Sequence, residues 1–426
     1  DEEIVRQMPV DLITAVEPGT DESDPDNTIV MQAWDFAGQQ MYYSMVHVFL
    51  TSRAIYVLVL DLSRWAMECS GPVSDEIVDS VDFWLAAIIV HAPESHLVIV
   101  GTHDDALTES NRRRVHERVN SHLAQHLEKV PSLQERLCVN DDENLLFFPI
   151  DNSRTSVPAQ ESVDRLRSKI NGHAQEAVRQ WGTIPTSYAQ FFNMLTTESS
   201  GQPCTSFAEC RKLASRLKFQ SGEGDLELQA CLSHFHDMGQ LLFFRGTHED
   251  VDVVLDCQWL LNAMARVVAC PRVLQRHPRE TRALHEKGEL TTELLKVLWD
   301  HPSFTGRAKL LQDYLEHFDL IVPSPGGRWF VPSMLPWRCS TGCSGNVRVS
   351  SRRDESVFVI DFHCALRQLL TTLLPRLLCH LHTRHPSDGL RVKGDIFRDF
   401  VQFWYAEGIL VTLSLVPYKS QKVLQA

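Results

Sequence analysis

Short apolar segments alternate with longer amphipathic stretches over the first 181 residues, and this alternation constrains the fold more than any other feature of the sequence. Each segment holds six or seven residues and is followed by a polar residue, which is typical of strands buried in a parallel sheet. The segments are Thr28–Trp34, Ala54–Leu60, His96–Gly101 and Asn144–Ile150, and the helical stretches are Ser74–Val90, Thr108–Val130 and Ser162–Trp181. This order predicts an α/β domain in which helices cover both faces of a parallel sheet.

The first of these strands leads into the sequence Asp-Phe-Ala-Gly-Gln at residues 35–39. A strand delivers Asp35 to the carboxyl edge of the sheet, where α/β folds bind ligands. In a nucleotide switch such an aspartate holds Mg²⁺ through water, the N–H of Gly38 senses the γ-phosphate, and Gln39 orients the attacking water. Taken alone, the motif is equally typical of a strand that ends in a turn.

A second polar sequence, Thr-His-Asp-Asp at residues 102–105, follows the third predicted strand and reaches the same edge. The carboxylate of Asp105 is placed to accept two hydrogen bonds from the N1–H and N2–H₂ groups of guanine, which adenine cannot supply. Thr102 and His103 stand where most GTPases have Asn and Lys, and the imidazole can pack flat on the base. The alternative for Asp104 and Asp105 is a helix N-cap.

Both motifs together resemble the Roc (Ras of complex proteins) GTPase domain of the Roco family, in which Thr-His-x-Asp replaces Asn-Lys-x-Asp. The stretch Trp34–Ser63 carries the Roc resemblance, and later segments resemble the COR (C-terminal of Roc) domain. Those later segments are His236–Phe243, Gln258–Leu260, His285–Gly288 and the region from Phe318 to Ser333. Together the two matches cover roughly residues 4–420, and the chain is similar to leucine-rich-repeat Roco proteins, with or without a kinase.

This resemblance implies a Ras-like P-loop GTPase fold, then a mainly helical, winged-helix-like COR subdomain and a small α+β subdomain. We expect boundaries at residues 1–181, 182–336 and 337–426. The resemblance also implies GDP or GTP and Mg²⁺ as ligands, GTP hydrolysis in the full-length protein, and a cytoplasmic location. COR would mediate homodimerisation and interdomain signalling, with further signalling proteins as partners.

The phosphate-binding sequence Gly-x-x-x-x-Gly-Lys-Ser/Thr does not occur in these 426 residues. In Ras-like folds this sequence follows the first strand. Within the sheet, that strand lies between the strands predicted at Thr28–Trp34 and Ala54–Leu60, so we expect each of these two strands to lack a partner on its inner edge. We therefore predict that this chain alone does not bind GTP tightly. The switch I threonine is also missing: Gln7 and Pro9 occupy the expected Thr-x-Gly positions, and Thr14 falls inside the strand predicted at Val10–Glu17.

The switch I departure favours an alternative function, a Roc–COR scaffold with little or no turnover. A DNA-binding winged helix at residues 290–336 is a further alternative, but the helix predicted at Arg307–Phe318 has no basic excess. The net charge of −14 also disfavours nucleic acid, although residues 1–27, with nine acidic and one basic side chain, carry more than half of it.

The remaining candidates have simpler interpretations. Eleven scattered cysteines indicate reduced intracellular thiols, and the longest apolar run, Phe83–Val90, has eight residues, too few to cross a membrane. Two Cys/His groups, Cys339 with Cys343 and the tract from Cys379 to His385, lack the paired spacing of zinc sites. We interpret residues 112–114, three arginines, as a solvated helix face, and Trp259, Trp299 and Trp329 as core or interface aromatics.

Overall fold

The computed structural model describes most of the chain from Met31 to Gln425 and groups it into two compact units. The described residues are 31–66 (apart from 32, 37 and 39–41), 74–152, 157–217 (apart from 183), 219, 225–244, 252–268, 278–336 (apart from 325), 361–362, 367–383, 390–392, 397–405 (apart from 399) and 409–425 (apart from 419–420). The first unit comprises Asp1–Ala37 and Phe49–Gln258, and the second comprises Gly38–Val48 and Trp259–Ala426.

The first unit begins with the predicted parallel sheet. Strand β1 (Ile55–Asp61) pairs with β2 (His96–Thr102), which in turn pairs with two short strands, β3 (Leu137–Cys138) and β4 (Phe148–Pro149). The helices of this part are α1 (Leu62–Ala66), α2 (Asp75–His91), α3 (Glu109–Lys129), α4 (Pro131–Gln134) and α5 (Val157–Trp181). The expected strand–helix alternation is therefore confirmed.

Helices cover both faces of this sheet, as the apolar strands require. On one face α2 and α3 pack on the sheet through a large core that includes Leu85, Val115 and Phe147. On the other face α5 packs on Val98 and Phe148. That helix leaves part of β1 uncovered, since Val57 is 44 % exposed and Val59 is 59 % exposed. Among the described strands, β1 pairs with β2 alone.

Two strand predictions need correction. Residues 31, 33 and 34 of the strand predicted at Thr28–Trp34 lie in no strand, because no described strand pairs with them and an extended segment without a partner forms no ladder. The strand predicted at Asn144–Ile150 comprises only Phe148–Pro149. The start of the predicted segment belongs instead to a turn over residues 141–144, which an isolated bridge between Asn140 and Leu145 closes. Val10–Glu17 lies outside the described residues.

The rest of the first unit is mainly helical. It contains α6 (Thr186–Glu198), α7 (Phe207–Arg216) and α8 (Leu226–Asp237), with a small antiparallel sheet of β5 (Cys204–Ser206), β6 (Leu242–Phe243) and β7 (Asp252–Val254). These helices enclose their own core, in which Phe191, Leu195 and Leu232 are buried. Helix α9 (Cys257–Val268) carries the chain into the second unit.

The second unit contains the predicted winged-helix-like arrangement. Helices α10 (Pro278–Lys287), α11 (Thr292–Leu298) and α12 (Ala308–His317) accompany an antiparallel sheet of β8 (Glu289–Thr291), β9 (Val322–Ser324) and β10 (Arg328–Phe330). Gly288 sits between α10 and β8 with a φ of +69°, and a Cβ there would come within 3.0 Å of Leu335. Glycine is required at this junction because both the backbone conformation and the space exclude a side chain.

The final part is the expected small α+β region. Helix α13 (Arg367–Thr383) accompanies a five-stranded antiparallel sheet in the order β11 (Asp361–Phe362), β15 (Gln421–Gln425), β14 (Ile409–Tyr418), β13 (Phe400–Tyr405) and β12 (Leu390–Val392). The buried side chains Leu374, Leu378 and Val401 join the helix to this sheet. None of the described helices is long and apolar enough to cross a membrane.

Candidate guanine-recognition edge of the parallel sheet

The carboxyl ends of β1 and β2 lie side by side, with Asp61 paired to Thr102 in the parallel ladder. The hydroxyl of Thr102 donates to the carbonyl oxygen of Leu60 at 3.1 Å, which ties the end of β2 to the end of β1. The carboxylate of Asp61 is already used, because it accepts from the N–H (3.0 Å) and hydroxyl (2.6 Å) of Ser63 and so caps α1. Oδ1 of Asp61 is therefore engaged within the protein.

The loop after β2 turns sharply at His103, whose φ of +60° lies in the left-handed region. Non-glycine residues adopt this conformation rarely, and such residues concentrate at ligand-binding sites. A short 3₁₀ turn, Asp104–Ala106, follows directly. Just before the turn, a Cβ at Gly101 would lie 2.8 Å from the side chain of Leu62, so the end of β2 packs closely on α1.

The two adjacent aspartates of this loop have different surroundings. Asp104 is turned towards α3, where Nε2 of His116 contacts its Oδ1 at 2.7 Å and Nε of Arg112 forms an ion pair with its Oδ2 at 3.1 Å. Asp105 is exposed and makes no hydrogen bond or ion pair with the described part of the chain. Only Asp105 therefore has a carboxylate available to a ligand.

A third loop completes this edge. The N–H of Ile150, just after β4, donates to the carbonyl oxygen of Gly101 at 2.8 Å, and the N–H of Asp104 donates back to the carbonyl oxygen of Ile150 at 3.4 Å. The loops that follow β2 and β4 therefore support each other through backbone hydrogen bonds.

The other predicted site residues lie apart from this loop. Asp35 is exposed, and the aromatic rings on either side of it hold its position: Trp34 packs 6.3 Å from Phe49, and Phe36 packs 6.4 Å from Trp84 of α2. Gly38 is exposed and belongs to the second compact unit, and Gln39 lies outside the described residues. The structure thus places Thr102, His103 and Asp105 in one loop. It does not place Asp35, Gly38 and Gln39 in a common site with them.

Domain profiles match the two parts of the chain in the same order. Residues 6–105 match "Ras of Complex, Roc, domain of DAPkinase", and residues 185–335 match "C-terminal of Roc, COR-A domain". The chain belongs to the Roco family. Its fold is the expected one, a Ras-like parallel sheet with helices followed by a helical COR region with small sheets.

Several Roco relatives are similar over most of this chain. This chain is 22 % identical to the probable serine/threonine-protein kinase roco5 of Dictyostelium discoideum over 72 % of the length of this chain. It is 24 % identical to leucine-rich repeat serine/threonine-protein kinase 1 of Caenorhabditis elegans over 71 % of its length. The chain spans only 10 % and 12 % of these two relatives.

A solved structure also resembles this chain, Methanosarcina barkeri Roco2 RocCORdC bound to GDP. The two share 18 % identity with a TM-score of 0.49, over 73 % of this chain and 82 % of that one.

One residue of α3 has a different role from the one that the sequence predicts. Arg112 was expected on a solvated face, but it pairs with Asp104 while Arg113 pairs with Glu117 at the surface. His116 was not anticipated at all. The available signal is its spacing: Arg112 and His116 are four residues apart and share one face of α3, so one acidic side chain can meet both.

The weaker candidates have structural roles where they are described. Cys379 is buried in the core beside the last sheet, and Nε2 of His380 contacts the carboxylate of Asp319 at 2.8 Å. Burial raises the pKa of the Cys379 thiol, which keeps it protonated. Cys339, Cys343 and His385 lie outside the described residues. The three tryptophans are buried and donate to protein oxygens, as expected for core aromatics: Trp259, Trp299 and Trp329.

Proposed function

We propose that this chain is the Roc–COR part of a guanine-nucleotide-dependent regulatory protein. The observation that carries the proposal is the contrast between the two aspartates of the Thr-His-Asp-Asp loop. Asp104 is engaged by α3, whereas Asp105 presents a free carboxylate at the ligand-binding edge of an α/β sheet. A free carboxylate there can accept two hydrogen bonds from guanine, which gives preference for GTP over ATP.

The remaining roles follow from the same assignment. Thr102 fixes the loop to β1, and the exposed imidazole of His103 is available to pack on the base. Asp35 is exposed, and carboxylate oxygens are ligands that Mg²⁺ prefers, so its chemistry fits the expected metal. Gly38 would meet the γ-phosphate and Gln39 would orient water. Hydrolysis also depends on a phosphate-binding loop, which these 426 residues do not contain.

COR would sense the nucleotide state through the residues that follow Gly38. In the first unit, the backbone N–H of Arg53 donates to the carbonyl oxygen of Asp237 at 3.1 Å, and its guanidinium contacts Nδ1 of His234 at 2.8 Å. In the second unit, Arg376 of α13 donates to the carbonyl oxygen of Ser44 at 2.6 Å. Ser44, in the segment after the Asp-x-x-Gly motif, is thus bound by α13, and Arg53, in the loop that follows, is bound by α8.

Homodimerisation through COR, signalling to partner proteins and a cytoplasmic location belong to this proposal, as does the division at residues 1–181, 182–336 and 337–426. The dimer is supported by α13, which exposes Leu373 (57 %) and Leu377 (42 %) one turn apart. Sedimentation velocity tests it: the variant with both leucines changed to glutamate is expected to be monomeric, and an unchanged mass would contradict this role for α13.

The nucleotide assignment is tested by titrating the full-length protein with fluorescent GDP in competition with GTP and ATP. Asp105→Ala is expected to abolish the preference for GTP over ATP. Glu135→Ala is the matched control, because this exposed carboxylate precedes β3 and lies at the opposite, amino edge of the sheet. Unchanged selectivity in Asp105→Ala would refute the assignment.

The scaffold alternative differs from this proposal in turnover rather than in binding. Single-turnover GTP hydrolysis by the full-length protein, compared with Gln39→Leu, separates the two. A rate that falls in the variant supports a GTPase. An equally slow rate in both proteins, with retained GTP binding, supports a scaffold without turnover.

A further inference from the structure

A group of three metal-ligating side chains lies on the helical face of the Roc domain, outside the candidate nucleotide edge. Asp82 comes from α2, and His122 and His126 come from α3. Nε2 of each histidine lies 2.8 Å from the same oxygen, Oδ1 of Asp82. All three ligand atoms lie within 4.8 Å of one another.

The two histidines have the spacing by which a helix presents two imidazoles to one ion. Residues four apart share one face of a helix, and metalloenzymes use this spacing to bind zinc. The rings of His122 and His126 are 5.2 Å apart and both direct Nε2 to the carboxylate. The third ligand comes from a neighbouring helix, so an ion here would join α2 to α3.

The distances suit a small ion of the first transition row. Zinc bonds to histidine nitrogen and carboxylate oxygen are about 2.0–2.2 Å long, so the ligand atoms of a tetrahedral site are roughly 3.3 Å apart. The observed separation of 2.8 Å between nitrogen and oxygen therefore has to open by only about 0.5 Å when an ion replaces the shared protons.

The surroundings hold the ligands firmly and leave one side open. The side chains of Asp82, His122 and His126 are 26 %, 17 % and 11 % exposed, and each lies next to the buried core that includes Val81 and Leu123. The indole of Trp65 packs 5.7 Å from His122. Three protein ligands with partial solvent access leave a fourth position for water, and a donor set of two imidazoles and one carboxylate favours Zn²⁺ over Mg²⁺.

We propose that Asp82, His122 and His126 form a binding site for Zn²⁺ or a similar divalent transition metal between α2 and α3. This site does not depend on the nucleotide assignment. The alternative is a metal-free hydrogen-bonded group in which both imidazoles donate to Asp82, and the experiment must distinguish the two.

The test uses the full chain, stripped with chelator, kept reduced and titrated with Zn²⁺ by calorimetry. Co²⁺ serves as a spectroscopic probe, because nitrogen and oxygen ligands give visible bands without the near-ultraviolet absorption of thiolate ligands. Wild-type protein is expected to bind Zn²⁺ at this site and to gain thermal stability, and excess Mg²⁺ is expected not to displace it.

Asp82→Asn and His126→Gln are expected to weaken this binding at least tenfold and to abolish the Co²⁺ bands. Asp82→Asn keeps an oxygen acceptor for both histidines, so its fold is expected to survive, and circular dichroism checks this. His285→Gln, which removes an exposed histidine on α10, is the matched control and is expected to bind normally. If wild-type protein binds no Zn²⁺, or if all variants bind it equally, the site is refuted.

Discussion

Asp104 and Asp105 are adjacent in sequence, but their separate replacement should have different effects. Loss of Asp104 should lower local stability, and loss of Asp105 should impair nucleotide recognition. Asp104→Ala removes the carboxylate that contacts His116, whose side chain is 15 % exposed, and that pairs with Arg112 at 3.1 Å. Arg112, whose side chain is 35 % exposed, keeps its second ion pair with Glu109. A hydrogen bond to a charged group is worth about 1.5–3 kcal/mol, and a partly exposed ion pair adds at most about 1 kcal/mol. We expect a local loss of about 2 kcal/mol.

Hydrogen–deuterium exchange measures this loss where it occurs, which matters because a chain with several domains does not unfold in one step. Peptides over residues 100–116 are expected to exchange roughly 30-fold faster in Asp104→Ala, the equivalent of about 2 kcal/mol. Asp105→Ala removes an exposed group without a partner and is expected to change exchange less than about threefold, since such substitutions stay within about 0.5 kcal/mol.

The double variant Asp104→Ala with His116→Phe provides a further control. It removes both members of the buried pair, so the unpaired imidazole that causes part of the loss is no longer present. It is expected to recover part of the protection. Equal exchange in Asp104→Ala and Asp105→Ala would show that α3 does not hold Asp104, and the argument that Asp105 alone is available to guanine would fail.

Three further changes test other parts of the structure. The phenol of Tyr56 donates to the carbonyl oxygen of Thr51 and accepts from its N–H, so Tyr56→Phe should cost about 1–2 kcal/mol in local stability, measured by hydrogen exchange at residues 51–61. Burial raises the pKa of this phenol to about 12, so wild-type stability should fall from pH 10 towards 12 through this group, and the variant should lose less. Gly101→Ala forces a Cβ against Leu62 and should cost about 1–3 kcal/mol, whereas unchanged hydrogen exchange at residues 96–102 would show that the leucine moves aside. Arg376→Met should speed proteolysis and hydrogen exchange at residues 42–48, with Arg376→Lys as the charge-preserving control; equal protection in all three proteins would contradict its role.

The long elements of the Roc sheet could be predicted because their side-chain periodicity is strong. The stretch expected at Thr108–Val130 is helical at Glu109–Lys129, and β1 starts within one residue of its predicted position. Short strands could not be found this way. Strand β3 has two residues and β5 has three, and a segment of that length shows no period; its neighbours in the sheet decide its structure.

The position of the candidate loop at a strand end was predictable from the sequence, whereas the contacts within it were not. The motif places Thr102, His103 and Asp105 at a strand end, and its register assigns the guanine contact to Asp105, but the sequence does not show what binds Asp104. Asp104 differs from Asp105 through a tertiary contact with His116, which lies on α3 and packs edge-to-face on the ring of Phe147. The metal-ligating group shows the same limit: the spacing of two histidines is visible in the sequence, whereas their partner on α2 is not.

The placement of Gly38–Val48 in the second unit has a consequence for synthesis. Ser44 and Arg376 are 332 positions apart in the sequence. Apart from Gly38–Val48, all residues of the second unit follow position 258. At roughly 5–20 residues per second, the ribosome adds Arg376 about 17–66 s after Ser44. Met45, Val46 and Val48 are buried in the folded protein, but during this interval the rest of their unit has not yet been synthesised. The first unit can therefore begin to fold during translation, whereas the segment that follows the Asp-x-x-Gly motif reaches its native packing among the last parts of the chain.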